Sequence, residues 1–236
     1  MTTRSAFVVA TRAVATIALA ALAACDSGSL IPGLAGSTND AALRIINTTN
    51  GAVDLTTNGH ANGGSSHVAP RTSSACIRVD PATTTVGMRA SGDSASIPDF
   101  TPALAGGGRY TVVAYTADDS TTRTLTLSDN FVPASGFAGL RIVHVAPTLG
   151  SLDVYVTAPG ASLAVPSTAS LGFGGNTGYI DTPPGNNQVR FTLTTTSTLV
   201  FDAGTVTLQA NQLATLVLAQ PGGPSGAAIS LFAPAC

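Results

Sequence analysis

The 236-residue chain has ten basic and twelve acidic residues, a formal net charge of −2, and every base is Arg and every acid Asp. That balance argues against the basic patch a nucleic-acid binder needs to neutralise phosphates. The lack of Trp, beside only four Tyr, argues against a stacking platform for bases or sugars.

Glu and Lys, two strong helix formers, are missing, while Thr, Val, Gly and Pro are abundant. The composition predicts an all-β chain, long enough for one large or two modest domains.

Residues 1–24 hold Arg4 and Arg12, then an apolar run from Ala13 to Ala24. The run is shorter than the about 20 residues of a membrane-spanning helix and reads as a secretory signal. Leu22-Ala23-Ala24-Cys25 resembles a bacterial lipobox. The resemblance implies a diacylglycerol on the Cys25 thiol, cleavage before it, and a membrane partner reached through the acyl chains. Each buried methylene would add ~0.8 kcal/mol to that hold. The alternative is ordinary signal cleavage nearby, with Cys25 discarded or free. Asp26, by analogy with sorting in two-membrane bacteria, points to the inner membrane, a rule that varies between lineages. Residues 25–40, rich in Gly, Ser and Pro from Ser27 onward, read as the lipidated Cys and a tether.

Residues 41–135 and 136–236 read as two copies of one unit. LRIINTTNGAVDL (Leu43–Leu55) matches LRIVHVAPTLGSLDVYV (Leu140–Val156), and Tyr110–Tyr115 falls on Leu213–Leu218. The first copy has strand-like runs near Leu43–Asn47, Val53–Thr57, Ala75–Asp80, Thr85–Ala90, Ile97–Phe100, Tyr110–Thr116 and Arg123–Leu127. In the second they lie near Leu140–Val145, Leu152–Thr157, Thr177–Asp181, Gln188–Leu193, Leu199–Leu208, Leu213–Ala219 and Ala227–Phe232. Short strands between Gly, Pro and Asn predict two immunoglobulin-like antiparallel sandwiches. Val189, Phe191 and Leu193 alternate with polar neighbours as one buried face requires; Leu213–Leu218 is more continuously apolar and suits a central strand. The short connection at Pro133–Gly136 predicts that the sandwiches touch.

Cys76 and Cys236 form an even pair that suggests a disulfide in an oxidising compartment. It would close a loop worth up to ~5 kcal/mol in the chain-entropy model. Two free thiols are the alternative.

The stretch LRIVHVAP followed by LDVYV resembles the bacterial DUF4397 family, with its V-R-V-V-H-A-S-P and V-D-V-Y-V stretches. Tyr179-Ile180-Asp181 with Pro184-Gly185, and Tyr110–Ala114, resemble its later hallmarks. The resemblance runs from about Ala41 onward and is strongest in the second copy; the first has Asn47 in place of His144 and lacks the turn Pro. It implies an envelope-exposed β-sandwich, often tandem and lipid-anchored, with no established activity and no catalytic residue.

Arg44 with Asp54, and Arg141 with Asp153, recur in both copies and suggest a cross-strand salt bridge in each. His144 reads as a hydrogen-bonded strand-end residue. His60 and His67 flank a polar loop and are weak metal candidates, because zinc needs three or four protein ligands. Asp118-Asp119-Ser120 reads as a solvated hairpin tip, with calcium as the rival. No G-x-S-x-G elbow marks a nucleophile, and Gly106-Gly107-Gly108 precedes a strand, unlike a phosphate loop.

The expected function is therefore non-enzymatic: a lipid-anchored protein of the bacterial cell envelope, on its periplasmic side or surface, with an interaction or structural role. No cofactor or nucleic acid is expected, and any protein partner is unnamed. An envelope ligand or metal receptor using sandwich-end loops is the alternative, and a hydrolase the least favoured reading.

Overall fold

The computed structural model describes residues 39–61, 63–97, 100, 102–194, 196 and 198–236. The signal segment, Cys25 and nearly all of the tether lie outside them. Among the described residues the regular structure is strand, apart from one 3-10 turn at Gly223–Ser225, as the missing Glu and Lys predict. No helix among them is long and apolar enough to cross a membrane.

The first eight strands are β1 (Ala41–Asn47), β2 (Val53–Thr57), β3 (His60–Ala61), β4 (Thr72–Ser73), β5 (Ile77–Val79), β6 (Val86–Ala90), β7 (Arg109–Thr116) and β8 (Thr122–Ser128). They form one sheet in the order β4-β1-β7-β8, with β5 also on β1, and a second in the order β3-β2-β6. The remaining strands are β9 (Ala138–Val145), β10 (Leu152–Thr157), β11 (Thr168–Leu171), β12 (Gly175–Thr182), β13 (Gly185–Leu193), β14 (Leu199–Leu208), β15 (Leu213–Ala219) and β16 (Ile229–Pro234). Their sheets run β12-β9-β15-β16 and β11-β10-β13-β14.

These sheets are not purely antiparallel, contrary to the sequence expectation. β1 runs parallel to β7, and β9 parallel to β15. A parallel neighbour needs a long crossover. Here the crossover is the excursion through β2 and β6, or β10 and β13, in the opposite sheet. The ladders also shift the repeat alignment by one residue: Arg44 lies beside Thr111, and Arg141 beside Thr215.

Alternation along the strands builds three apolar clusters. Leu43, Ile45, Val112 and Ala114 point into the first sheet pair with Leu55 and Met88. Leu140, Ile142, Leu216 and Leu218 point into the second with Val189 and Phe191. The opposite faces of the same strands meet each other: Ile46, Val113 and Leu127 pack with Val143, Val145, Val217 and Ala219. The β1–β7 and β9–β15 sheets are thus covered on both faces. That explains why β9 and β15 are buried at every residue while β13 alternates. Gly139 permits this close approach, since a Cβ there would lie 2.6 Å from Leu213 and 3.1 Å from Phe131.

Three short strands escaped the sequence reading: β3 and β4 have two residues each, all exposed, and β11 has four residues in all, too few to display a period. The expected strand at Ile97–Phe100 includes residues 98 and 99, which lie outside the described residues. Just before them, a Ser96–Arg89 bridge and the bond from the Ile97 N–H to the Met88 carbonyl attach the chain to β6. Cys76, just before β5, is joined by a disulfide to Cys236, beyond β16, with Cα atoms 5.8 Å apart and 160 residues between them in sequence.

Candidate functional site

The two predicted Arg–Asp pairs do not form. β1 and β2 lie in different sheets, as do β9 and β10, so Arg44 and Asp54, and Arg141 and Asp153, occupy separate layers. Each member of the repeat has another task.

The aspartates pin the chain segment beside their own strand. Asp54 accepts the His67 N–H at 2.7 Å and the Ser91 hydroxyl at 2.6 Å, with Arg89 Nε at 3.4 Å from the opposite register position on β6. Burial pushes the Asp54 carboxyl upward, but Ser91, His67 and Arg89 together hold it below the usual range. Asp153 accepts the Ser170 N–H at 2.8 Å and the Thr194 hydroxyl at 3.2 Å. His67 and Ser170 have φ of 51° and 54°, a left-handed conformation uncommon in non-glycine residues. In both halves the carboxylate thus bonds the backbone of a left-handed residue.

The residues at the ends of β1 and β9 close the turn that follows. His144 is fully buried, and its Nε2 lies 2.7 Å from the Gly150 carbonyl. A carbonyl can only accept, so Nε2 carries the proton and Nδ1 is left to take the Ala146 N–H at 3.4 Å. Burial lowers the imidazole pKa against the opposing pull of the Gly150 carbonyl. Asn47 does the same work in the first half, donating to Gly51 O at 2.8 Å and Val68 O at 2.9 Å. Gly51 and Gly150 occupy matching positions before Val53-Asp54 and Leu152-Asp153. His144 is a turn clasp, and no Ser hydroxyl or carboxylate appears among its hydrogen-bond partners.

Arg141 enters a buried polar cluster between the sheet pairs. Its Nη2 donates to Asp129 at 2.6 Å and to Thr215 at 2.9 Å, and Nη1 donates to Ser128 O at 2.8 Å. Asp129 also accepts the Thr111 hydroxyl at 2.7 Å and the Tyr179 hydroxyl at 2.8 Å. The Tyr179 ring lies 4.5 Å from the Arg141 guanidinium carbon and stacks on Phe131. Burial, opposed by Arg141 and reinforced by Asp129, raises the Tyr179 pKa, so the phenol stays protonated and donates. The sequence reading missed Asp129, since it lies outside the repeated strands.

Arg44, at the equivalent position of β1, is only partly buried. Its guanidinium donates to Pro234 O and touches Cys76 Sγ at 3.5 Å. Burial lowers its pKa while Asp129, acting through space, raises it.

His60 and His67 are exposed, and His67 contributes its backbone N–H. Among the described residues no group of three or more His, Cys, Asp or Glu could hold a metal ion. Asp119 is bonded to Thr121 and Arg123 across an exposed tip, which takes its carboxyl down to about 2. Two adjoining hollows of about 310 and about 510 Å³ share Ala90, Ile97 and Thr122. They open beside β6, which ends its sheet among the described residues, and Asn50, Asp93, Ser120 and Arg123 also line them. Hydroxyls and small side chains dominate this groove.

Polar groups of the repeat are thus bonded to its own turns, loops and interlayer cluster. A family model agrees with this repeat only in part. Residues 41–155 match the family described as Domain of unknown function (DUF4397). The matched segment takes in the first sheet pair and ends inside β10, so it includes both copies of the L-R-I motif. No curated protein matches the chain.

Proposed function

We propose that this protein is a non-enzymatic module of the bacterial cell envelope, held by a lipid on Cys25. Residues 41–135 and 136–236 form two immunoglobulin-like sandwiches with a structural or interaction role. The observation that carries this reading is the Arg141–Asp129–Thr111–Tyr179 cluster with the apolar layer around it. A buried ion pair is costly unless its geometry is fixed. This one joins residues of both halves, so the two sandwiches act as a stiff body at the end of a tether. The use of His144, Asp54 and Asp153 in turns and loops supports a role without catalysis.

Palmitate labelling and membrane fractionation of the wild type and Cys25→Ala test the anchor. Label and membrane association in the wild type, both lost in the variant, are expected. A soluble, unlabelled wild-type product refutes the anchor.

The groove beside β6 favours, as a second reading, an envelope receptor for a small polar ligand. A thermal-shift screen of sugars and divalent metals tests it, and a shift removed by altering Asn50 would replace the scaffold reading.

A further inference from the structure

The Cys76–Cys236 disulfide joins two regions that the backbone ladders leave separate. β5 pairs with β1, whereas β16, at the edge of its sheet among the described residues, pairs with β15. The same arginine serves both ends of this junction, since Arg44 donates to Pro234 O on β16 and touches Cys76 Sγ at 3.5 Å. Cys76 is exposed and Cys236 partly buried, so a small thiol can reach the bond. The two sulfurs differ electrically, because the guanidinium hydrogen bond falls on Cys76. A cation beside a cysteine stabilises its thiolate, and the better-stabilised thiolate is the better leaving group.

We propose that Cys76–Cys236 is a thiol-exchange site and a latch on β16, with Cys76 as the leaving thiolate. An incoming thiolate of a small thiol or a dithiol protein attacks Cys236 Sγ. The new sulfur–sulfur bond forms there, the Cys76–Cys236 bond breaks, and its electron pair stays on Cys76 Sγ beside Arg44. A second thiolate then attacks the mixed disulfide, freeing the Cys236 thiolate and leaving the reductant oxidised. Ile229 and Leu231 of β16 are only partly buried against the interlayer cluster, with Ala233 their one fully buried neighbour there. Release of β16 uncovers one edge of β15, whose sequence LATLVLA has no charge and no proline. Such an edge is a template for an added strand.

The test uses the purified full chain with reduced glutathione. Alkylation at short times followed by peptide mapping locates the mixed disulfide. Access alone favours the more exposed Cys76, so an adduct chiefly on Cys236 supports the proposal and one chiefly on Cys76 overturns it. Arg44→Gln should slow cleavage by about three- to tenfold, with Arg44→Lys close to the wild type. A merely structural role for Arg44 would loosen β16 and speed cleavage, so an unchanged or faster rate overturns the electrostatic part. Amide exchange of the reduced chain should show at least about tenfold loss of protection in β16; full protection there overturns the latch. If Arg44→Gln does not fold, the adduct map of the unaltered chain still decides the direction of exchange.

Discussion

Arg141 and Arg44 occupy the same position on β9 and β1, each beside a threonine on the adjacent parallel strand. Arg141 is buried against Asp129, whereas Arg44 lies at the rim with a carbonyl and a disulfide sulfur. One carboxylate between two equivalent arginines makes the pair of halves asymmetric. The asymmetry arises because Asp129 follows β8 in the first half and turns toward the second. A repeated residue type therefore states a position in the strand, and the contact it makes depends on which half supplies the counter-charge. The sheets differ in the same manner. Among the described residues the second half forms β11-β10-β13-β14, while the first forms β3-β2-β6 with a groove beside β6.

The largest test of this asymmetry is Asp129→Ala set against Arg44→Ala. Removing Asp129 leaves Arg141 buried without its counter-charge and should cost about 3–5 kcal/mol. Removing the partly exposed Arg44 should cost about 1 kcal/mol or less. Urea unfolding measures both, and equal losses would break the distinction. Next comes the double variant Cys76→Ser with Cys236→Ser. It should lose about 2–4 kcal/mol, because the bridge restrains a long loop of the unfolded chain.

The turn clasps give a smaller, pH-dependent effect. His144→Ala should cost about 1–3 kcal/mol by emptying a fully buried site and removing the bond to the Gly150 carbonyl. Burial holds the folded imidazole below its ordinary pKa, near 6.5 for an unfolded chain. As pH falls, the unfolded state takes the proton first. The stabilisation from neutral His144 is thus complete above about pH 6.5 and declines below it. His144→Asn, which copies the clasp at Asn47, should flatten the melting temperature between pH 7.5 and 5; a slope equal to the wild type would show that another group titrates. The smallest effect is expected at the hairpin tip. Asp119→Ala should leave the melting temperature unchanged, since both partners of its ion pair are solvated.

Much of the fold was legible in the chain. The all-β class follows from residue types, and most strand positions from alternation and turn residues. The Cys76–Cys236 pairing follows from an even count, and contact between the halves from the short connection at Pro133–Gly136. The antiparallel expectation failed at β1–β7 and β9–β15, as strand order is invisible to periodicity. Asp54 and Asp153 were correctly seen as recurring, but the choice of partner depended on which layer each strand joined.

The sequence by itself determined the strand-forming periods, the clasp residues Asn47 and His144 at strand ends, and the repeat of Arg and Asp. Those are local properties, set by side-chain volume, backbone preference and hydrogen-bonding capacity within a few residues. Tertiary structure alone decided that two sheets are covered on both faces, that Asp129 serves Arg141, and that Arg44 lies against a disulfide. Each of these joins groups far apart along the chain. Burial then turned a pair of charges into an interlayer contact on one side and left the equivalent arginine at the rim on the other.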